Sequence, residues 1–334
     1  MTLIVNDTAE LLDPQLSYYT NGELQTFKQC RRKWWLSSYR QLGSKRQKVS
    51  GALAMGTKAH VALAEYYGHG KDPLEVLLEL AERDQARLEE QDPKGYDVVQ
   101  RKELEKDTAL VRIIIEGYLE WLEETAADVG ITIIAPEQPI IANPRIPGLE
   151  HVRLLGKEDV QAQRERDGAR LFIDHKTCQT FESVKKIAHI NEQFLHYHLL
   201  ELLKLVESGL DAEQRTDGAL INMLRKVKRT ATAKPPFYDR IEVKHNLKTL
   251  SSYWRRVSET IRQIESLRDR LDAGEDPTMV AYPSPTSECV WKCEFFSICN
   301  MFDDGSRVED YVKEQMVEIN PLKRYEPESI GVVN

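Results

Sequence analysis

Helical spacing of apolar residues marks residues 17–35, 50–67, 72–91 and 103–125, the first helix being entered after Thr20 or Asn21. The 72–91 and 103–125 helices are amphipathic and separated by a turn at 92–95. Period-two alternation then takes over at 132–134 and 138–142, broken by Pro136 and Pro139 with Glu137 between them. Residues 143–150 form a loop. The stretch 156–177 reads as two short strands joined by the polar turn 164–168, which carries Asp167-Gly168. Beyond it lie a strong helix at 191–205, a strand at 219–224, a mostly long helix at 243–271 and a proline-containing linker at 274–285. There is no internal repeat and no low-complexity segment.

The hairpin at 156–177 is the stretch around which the rest is organised. Asp159 lies on its first strand, and Asp174 and Lys176 lie on its second, after Leu171-Phe172-Ile173. Strand side chains alternate, so Asp174 and Lys176 point one way and His175 the other. Two carboxylates on neighbouring strands beside an ammonium can hold a hard divalent cation and a phosphate together. An exposed hairpin with a surface ion pair is the plainer reading, and the hairpin alone favours it. On the 50–67 helix, Gly56 and Ala52, Ala54, Ala59, Ala62 and Ala64 permit close packing, and His60 follows Gly56 by four residues. Taken alone, His60 reads as a structural histidine. Gln193 and Tyr197 share one face of the 191–205 helix.

Composition narrows the class. With 334 residues, 41% hydrophobic and 30% charged, the chain is an ordinary globular protein with room for one large core or two modest ones. No apolar run reaches membrane-spanning length, and the N-terminus lacks a basic region and signal-peptide core. A cytosolic location is expected (host cytoplasm if viral), with disulfides disfavoured. The formal net charge of −8 excludes nucleic-acid binding by the whole surface but leaves room for a local basic groove. Residues 224–238 supply one: Arg225, Lys226, Lys228, Arg229 and Lys234 occur without an acidic residue and end in Pro235-Pro236-Phe237-Tyr238. Such a loop suits a single strand, through phosphate contacts and base stacking. It equally suits a solvated hairpin tip.

Five cysteines stand at positions 30, 178, 289, 293 and 299, three of them as Cys289-x3-Cys293-x5-Cys299. Cysteines this close in a cytosolic chain point to metal. Three thiolates are one short of a closed site, so Cys30 or Cys178 supplies the fourth. Cys30 is the choice, because Arg31-Arg32-Lys33 and Trp34-Trp35 resemble the surroundings of the C-terminal three. Zinc and a four-iron cluster both accept four thiolates, and spacing does not decide between them.

The order Gly56-x3-His60, Gly156-x2-Asp159, Asp174-His175-Lys176-Thr177, Gln193-x3-Tyr197 resembles the RecB-type nuclease domain of the PD-(D/E)XK superfamily. One cysteine before these motifs and three after them look like its iron–sulfur branch, which includes the AddB nuclease domain, CRISPR-adaptation nucleases and bacteriophage exonucleases. The resemblance covers about residues 25–301. It departs in the three-residue gap between Cys289 and Cys293, where two is commoner, and at His175, where an aromatic or aliphatic residue is usual. Nothing resembles helicase motifs.

The resemblance implies an α/β, restriction-endonuclease-like fold: a mixed sheet flanked by helices, with the hairpin at its centre. A mainly helical part (1–130), a nuclease core (131–245), a C-terminal helix with the cysteine-ligated cluster (246–301) and a tail (302–334) would form one structural unit. It implies that His60, Asp159 and Asp174 ligate Mg²⁺ or Mn²⁺ with help from a backbone carbonyl near His175. Lys176 would polarise the attacking water, and Gln193 and Tyr197 would orient the lysine and contact the scissile strand. Cys30, Cys289, Cys293 and Cys299 would hold a 4Fe-4S cluster. The expected function is a metal-dependent DNA exonuclease preferring single strands or frayed ends. The rival expectations are a prespacer-trimming CRISPR-adaptation nuclease and a catalytically inactive nucleic-acid-binding module. The expected partner is DNA and not a membrane, with oligomeric state and repair partners open.

Overall fold

The computed structural model describes residues 12–46, 48–95, 97–209 and 216–326. The extreme N-terminus, read above for a leader, falls mostly outside them. The described strands are β1 (Ser17–Thr20), β2 (Leu42–Ser44), β3 (Ile131–Pro136), β4 (Pro139–Ala142), β5 (Val152–Lys157), β6 (Val160–Arg164), β7 (Arg170–Cys178), β8 (Thr216–Arg225), β9 (Tyr238–Val243) and β10 (Met316–Glu318). They form a five-stranded sheet ordered β3-β6-β7-β8-β9, a three-stranded sheet β1-β5-β4 and a β2–β10 ribbon. The large sheet is mixed: β7 pairs parallel with β8, and every other pairing in it is antiparallel. A parallel pair needs a crossover between its strands. The helix Glu192–Glu207 supplies it.

The sheet is covered on both faces, which explains why β7 opens with the continuous apolar run Leu171-Phe172-Ile173 instead of an alternating one. Phe172 faces the Glu192–Glu207 helix, its ring edge-on to Tyr197 with centroids 5.6 Å apart. Leu171 and Ile173 face the other way, toward Tyr67 of the helix Ala52–His69. Beyond that helix lie Pro73–Gln91 and Val98–Thr125, joined to it through Leu63, Leu77, Ile115 and Tyr118. The main core gathers β4, β5, the Glu192–Glu207 helix and the long helix Leu247–Asp272 around Trp34, Leu154, Phe194 and Ile261. No helix among the described residues is long and apolar enough to cross a membrane.

Several elements depart from the pattern-based expectation. Residues 17–20, where the sequence pattern predicts no strand, are a strand beside β5; the helix starts at Asn21, as expected, where Thr20 Oγ1 accepts the Glu23 N–H (3.1 Å). That helix stops at Cys30, whose backbone is extended (φ −159°, ψ 113°), and resumes as Arg31–Trp34 with the Cys30 sulfur accepting the Lys33 N–H at 3.5 Å. The expected helix over 243–271 begins at Leu247, after Asn246 caps it through Thr249, because residues 238–243 pair as β9 at the sheet edge. In the described part of the tail, the helix Val308–Gln315 leads into β10 and a 3₁₀ turn, Lys323–Tyr325.

Two histidines on the crossover helix make the fold acid-sensitive. His196 and His198 are buried, and burial drives both pKa values down to about 4 against partial opposition from the Leu155 and Thr216 carbonyls. An unfolded imidazole titrates near 6.5. Between these values the unfolded chain binds protons that the folded chain refuses, so stability is full above about pH 6.5 and is lost as pH falls toward 4. Each site is worth on the order of 3 kcal/mol across that window. Urea midpoints measured from pH 7.5 to 4.5 should therefore fall steeply below pH 6.5, and His198→Gln should flatten the fall. A midpoint independent of pH over that range would refute this.

Candidate active site

Asp159 sits in the two-residue break between β5 and β6, not on a strand as expected. The β6–β7 register pairs Val160 with Ile173, so the next position along sets Asp159 opposite Asp174. Asp159 Oδ2 accepts the His175 N–H at 2.7 Å, and Oδ1 lies 3.0 Å from His60 Nδ1. Burial works against the Asp159 charge, but the His60 and His175 imidazoles prevail and hold its carboxyl well below the usual range. Burial likewise disfavours a charged His60, yet the Asp159 carboxylate lifts its pKa to about 9. A divalent ion binding here displaces the proton of this pair.

Asp174 is fully buried. Lys176 Nζ pairs with its Oδ2 at 2.8 Å, and Oδ1 has no hydrogen-bond partner among the described residues. Burial pushes its pKa up, moderated by Lys176. Lys176 also donates to Gln193 Oε1 (2.9 Å), and Gln193 Nε2 donates to the Tyr197 hydroxyl (3.3 Å). The relay Asp174–Lys176–Gln193–Tyr197 is thus assembled as the strand and helix periods require. Gly156 permits it: a Cβ there would lie 2.6 Å from Leu200 and 3.0 Å from Tyr197. Gly56 has more room, with only Thr177 Oγ1 at 3.5 Å.

His175 does point away from Asp174, into a buried cluster with Tyr67, Tyr118 and Asn222. It is nevertheless not remote from the site, because Nδ1 comes within 3.6 Å of Asp159 Oδ2. The sequence reading gave Glu137 no chemistry, and the fold brings it in. Ligand atoms of His60, Glu137 and Asp159 all lie within 4.8 Å of one another. Ligands of one octahedral Mg²⁺ stand roughly 3 Å apart when adjacent and about 4.2 Å when opposite, so these three need only a small contraction. Glu137 is held there by its N–H to the Asp159 carbonyl (3.0 Å), in a left-handed conformation (φ 49°) between β3 and β4. Lys157 neutralises it at 2.6 Å. The one signal in the sequence was a carboxylate confined by two prolines. The donor set and the orphaned Asp174 Oδ1 fit a hard divalent cation.

Four of the cysteines lie in one region of the fold. Cys293 and Cys299 are each within electrostatic reach of Cys30, and Cys293 of Cys289 as well. Cys178 instead is buried on β7 with Arg225 and Lys226 as its charged neighbours. No three of the sulfurs come within 4.8 Å of one another, whereas a tetrahedral zinc needs them about 3.8 Å apart. Backbone N–H groups point at the sulfurs: Ser284 at Cys30 (3.4 Å), Thr286 at Cys289 (3.3 Å) and Phe295 at Cys293. Buried Arg32 clips the two chain regions together, binding Asp303 through both terminal nitrogens (2.7 and 3.0 Å) and the Cys299 carbonyl (3.0 Å).

The basic loop runs from the end of β8, next to the end of β7 and so on the order of 10 Å beyond Lys176. Its five cations are not equivalent. Arg225 donates to the Lys234 carbonyl (3.0 Å) and shapes the loop, while Arg229 is paired with Glu120. Lys226 and Lys228 make no ion pair among the described residues.

A model of the PD-(D/E)XK nuclease superfamily matches residues 19–300. No curated protein matches the chain.

Proposed function

The chain belongs to the PD-(D/E)XK nuclease superfamily, whose members hydrolyse nucleic-acid phosphodiester bonds with divalent metal ions, and from that premise we propose that it is a Mg²⁺- or Mn²⁺-dependent DNA exonuclease of the iron–sulfur branch. The observation that carries an active enzyme is the buried, partly unsatisfied Asp174 carboxylate beside Lys176, which Gln193 holds in turn. A module that only bound nucleic acid would gain nothing from a buried carboxylate with one oxygen left unpaired. His60, Asp159, Asp174 and Glu137 would hold the ion, with the carbonyl near His175 as a further ligand. Such an ion lowers the pKa of a bound water and offsets phosphate charge. Lys176, fixed on two sides, orients the water and steadies charge on the phosphorane. Tyr197 keeps Gln193 turned toward Lys176.

Cys30, Cys289, Cys293 and Cys299 would ligate a 4Fe-4S cluster. The reading is supported by the electrostatic proximity of Cys293 to Cys30 and Cys289 and of Cys299 to Cys30, and by N–H groups aimed at the sulfurs, which suit thiolates. The cluster's role would be structural, since four thiolates leave no open coordination site.

A preference for single strands is supported by the confined ligand group, which has the Ala52–His69 helix on one side and the C-terminal turn on the other. The basic loop would guide the strand, mainly through Lys226 and Lys228. Replacing these two with Ala should reduce the log–log salt slope of single-strand binding by about 1.4, near 0.7 per phosphate contact, with kcat at saturation little changed. An unaltered slope would make the loop a bystander. The function itself is tested with DNA labelled separately at its 5′ and 3′ ends, offered single-stranded, blunt and as closed circles. Release of nucleotides from free ends in Mg²⁺ or Mn²⁺, with circles spared, is expected. Rapid cutting of closed circles would rule out an exonuclease.

A further inference from the structure

After β10 the chain turns back toward the metal-ligand group. Ile319 N–H donates to the Gln41 carbonyl (2.7 Å), and Ile319 packs so closely on Gly43 that a Cβ there would lie 3.0 Å from it. Asn320 then staples the turn, accepting from the Leu322 N–H (2.9 Å) and donating to Glu326 Oε1 (3.0 Å). Tyr325 is buried, and its hydroxyl bonds Thr20 at the head of the Asn21–Gln29 helix. The Arg324 guanidinium lies over the Tyr325 ring, 5.4 Å from its centroid. Its charged or ionisable neighbours are Tyr325, Tyr197, Glu137 and Asp159, which places it at the active site. Yet Arg324 is exposed and closes on neither carboxylate: among the described residues it makes no ion pair. An arginine stacked on an aromatic ring with its donors unspent is preorganised for an oxyanion.

We propose that Arg324 binds a phosphate of the nucleic-acid strand beside the metal-ligand group, so that the C-terminal turn forms one wall of the active site. Residue 324 lies beyond the span matched by the superfamily model, so this contact is an addition outside the matched nuclease core. A divalent ion on Asp159 and Glu137 neutralises the carboxylates that otherwise attract the guanidinium. The fork is then directed to the strand. The proposal rests on the nuclease reading for the identity of its ligand.

The test is fluorescence anisotropy of a labelled single-stranded oligonucleotide with the full chain, in Ca²⁺ so that binding is read without turnover. Arg324→Ala should weaken binding roughly ten- to a hundredfold, the worth of a charged hydrogen-bonded contact, and reduce the salt slope by about 0.7. Arg324→Lys should restore the slope and only part of the affinity, having charge without the fork. Thermal midpoints should match wild type, because Arg324 is exposed. Unchanged affinity in Arg324→Ala overturns the proposal, and tighter binding overturns it in favour of a turn that obstructs the strand. Wild type that binds but does not cut in Mg²⁺ or Mn²⁺ refutes the nuclease reading and leaves the phosphate contact standing. Wild type that binds no strand refutes both.

Discussion

Asp174→Asn lowers cleavage by roughly a thousandfold or more and leaves the metal-free protein at least as stable as wild type. Both halves of this expected result come from one observation: a carboxylate with no exposure and one oxygen, Oδ1, without a hydrogen-bond partner among the described residues. Desolvation raises its pKa, so the unmetallated fold is strained by the charge, and a neutral amide of the same shape relieves that strain. The same residue is the carboxylate that Lys176 approaches, so its loss would remove a proposed metal ligand and free the lysine from one of its two anchors. Thermal scans with and without Mn²⁺ give a second readout, since an ion that binds only the folded state raises the midpoint. Wild type should shift with Mn²⁺ and Asp174→Asn should shift much less. Full cleavage by purified Asp174→Asn protein would end the assignment.

Cys30→Ser is expected to empty the proposed cluster site and lower the thermal midpoint by on the order of 10 °C. Serine is chosen because its hydroxyl can still accept the Lys33 N–H that the sulfur accepts now, so the local helix start survives. What is lost is the thiolate. Anaerobically purified wild type should hold about four irons per chain, and Cys30→Ser far fewer. Cys178→Ala should keep them all, because Cys178 lies on β7 away from the other four. Metal retained by Cys30→Ser but lost by Cys178→Ala would reverse the choice of ligand. Stoichiometric zinc in place of iron would keep the ligands and change the cofactor.

The parts of the site that were legible in sequence are those set by local periods. Asp174 and Lys176 share a face because strands alternate, and Gln193 and Tyr197 share one because helices repeat near four; the relay joining them needed only that β7 and the Glu192–Glu207 helix pack together. Glu137 was illegible because its position depends on one backbone hydrogen bond between two irregular connections, for which no period exists. Arg324 escaped for a related reason: a three-residue 3₁₀ turn is too short to leave a pattern. The strand at 17–20 went unrecognised because four residues cannot display alternation, and its parallel partner lies far along the chain in β5. Asp159 was misplaced by one step, from the break onto the strand, since sequence does not show where a ladder begins.

The β2–β10 ribbon has a consequence for how the protein is made. A ribosome adding roughly 5–20 residues per second has released Asp159, Asp174 and Lys176 long before residues 316–318 emerge to pair with 42–44. Arg32 likewise waits for Asp303, and Tyr325 for its place on Thr20. Until then the nascent polypeptide has its catalytic groups but not the late segments that fasten the start of the chain and wall the cleft. A product cut short before residue 316, whether by a frameshift or by stalled translation, lacks both.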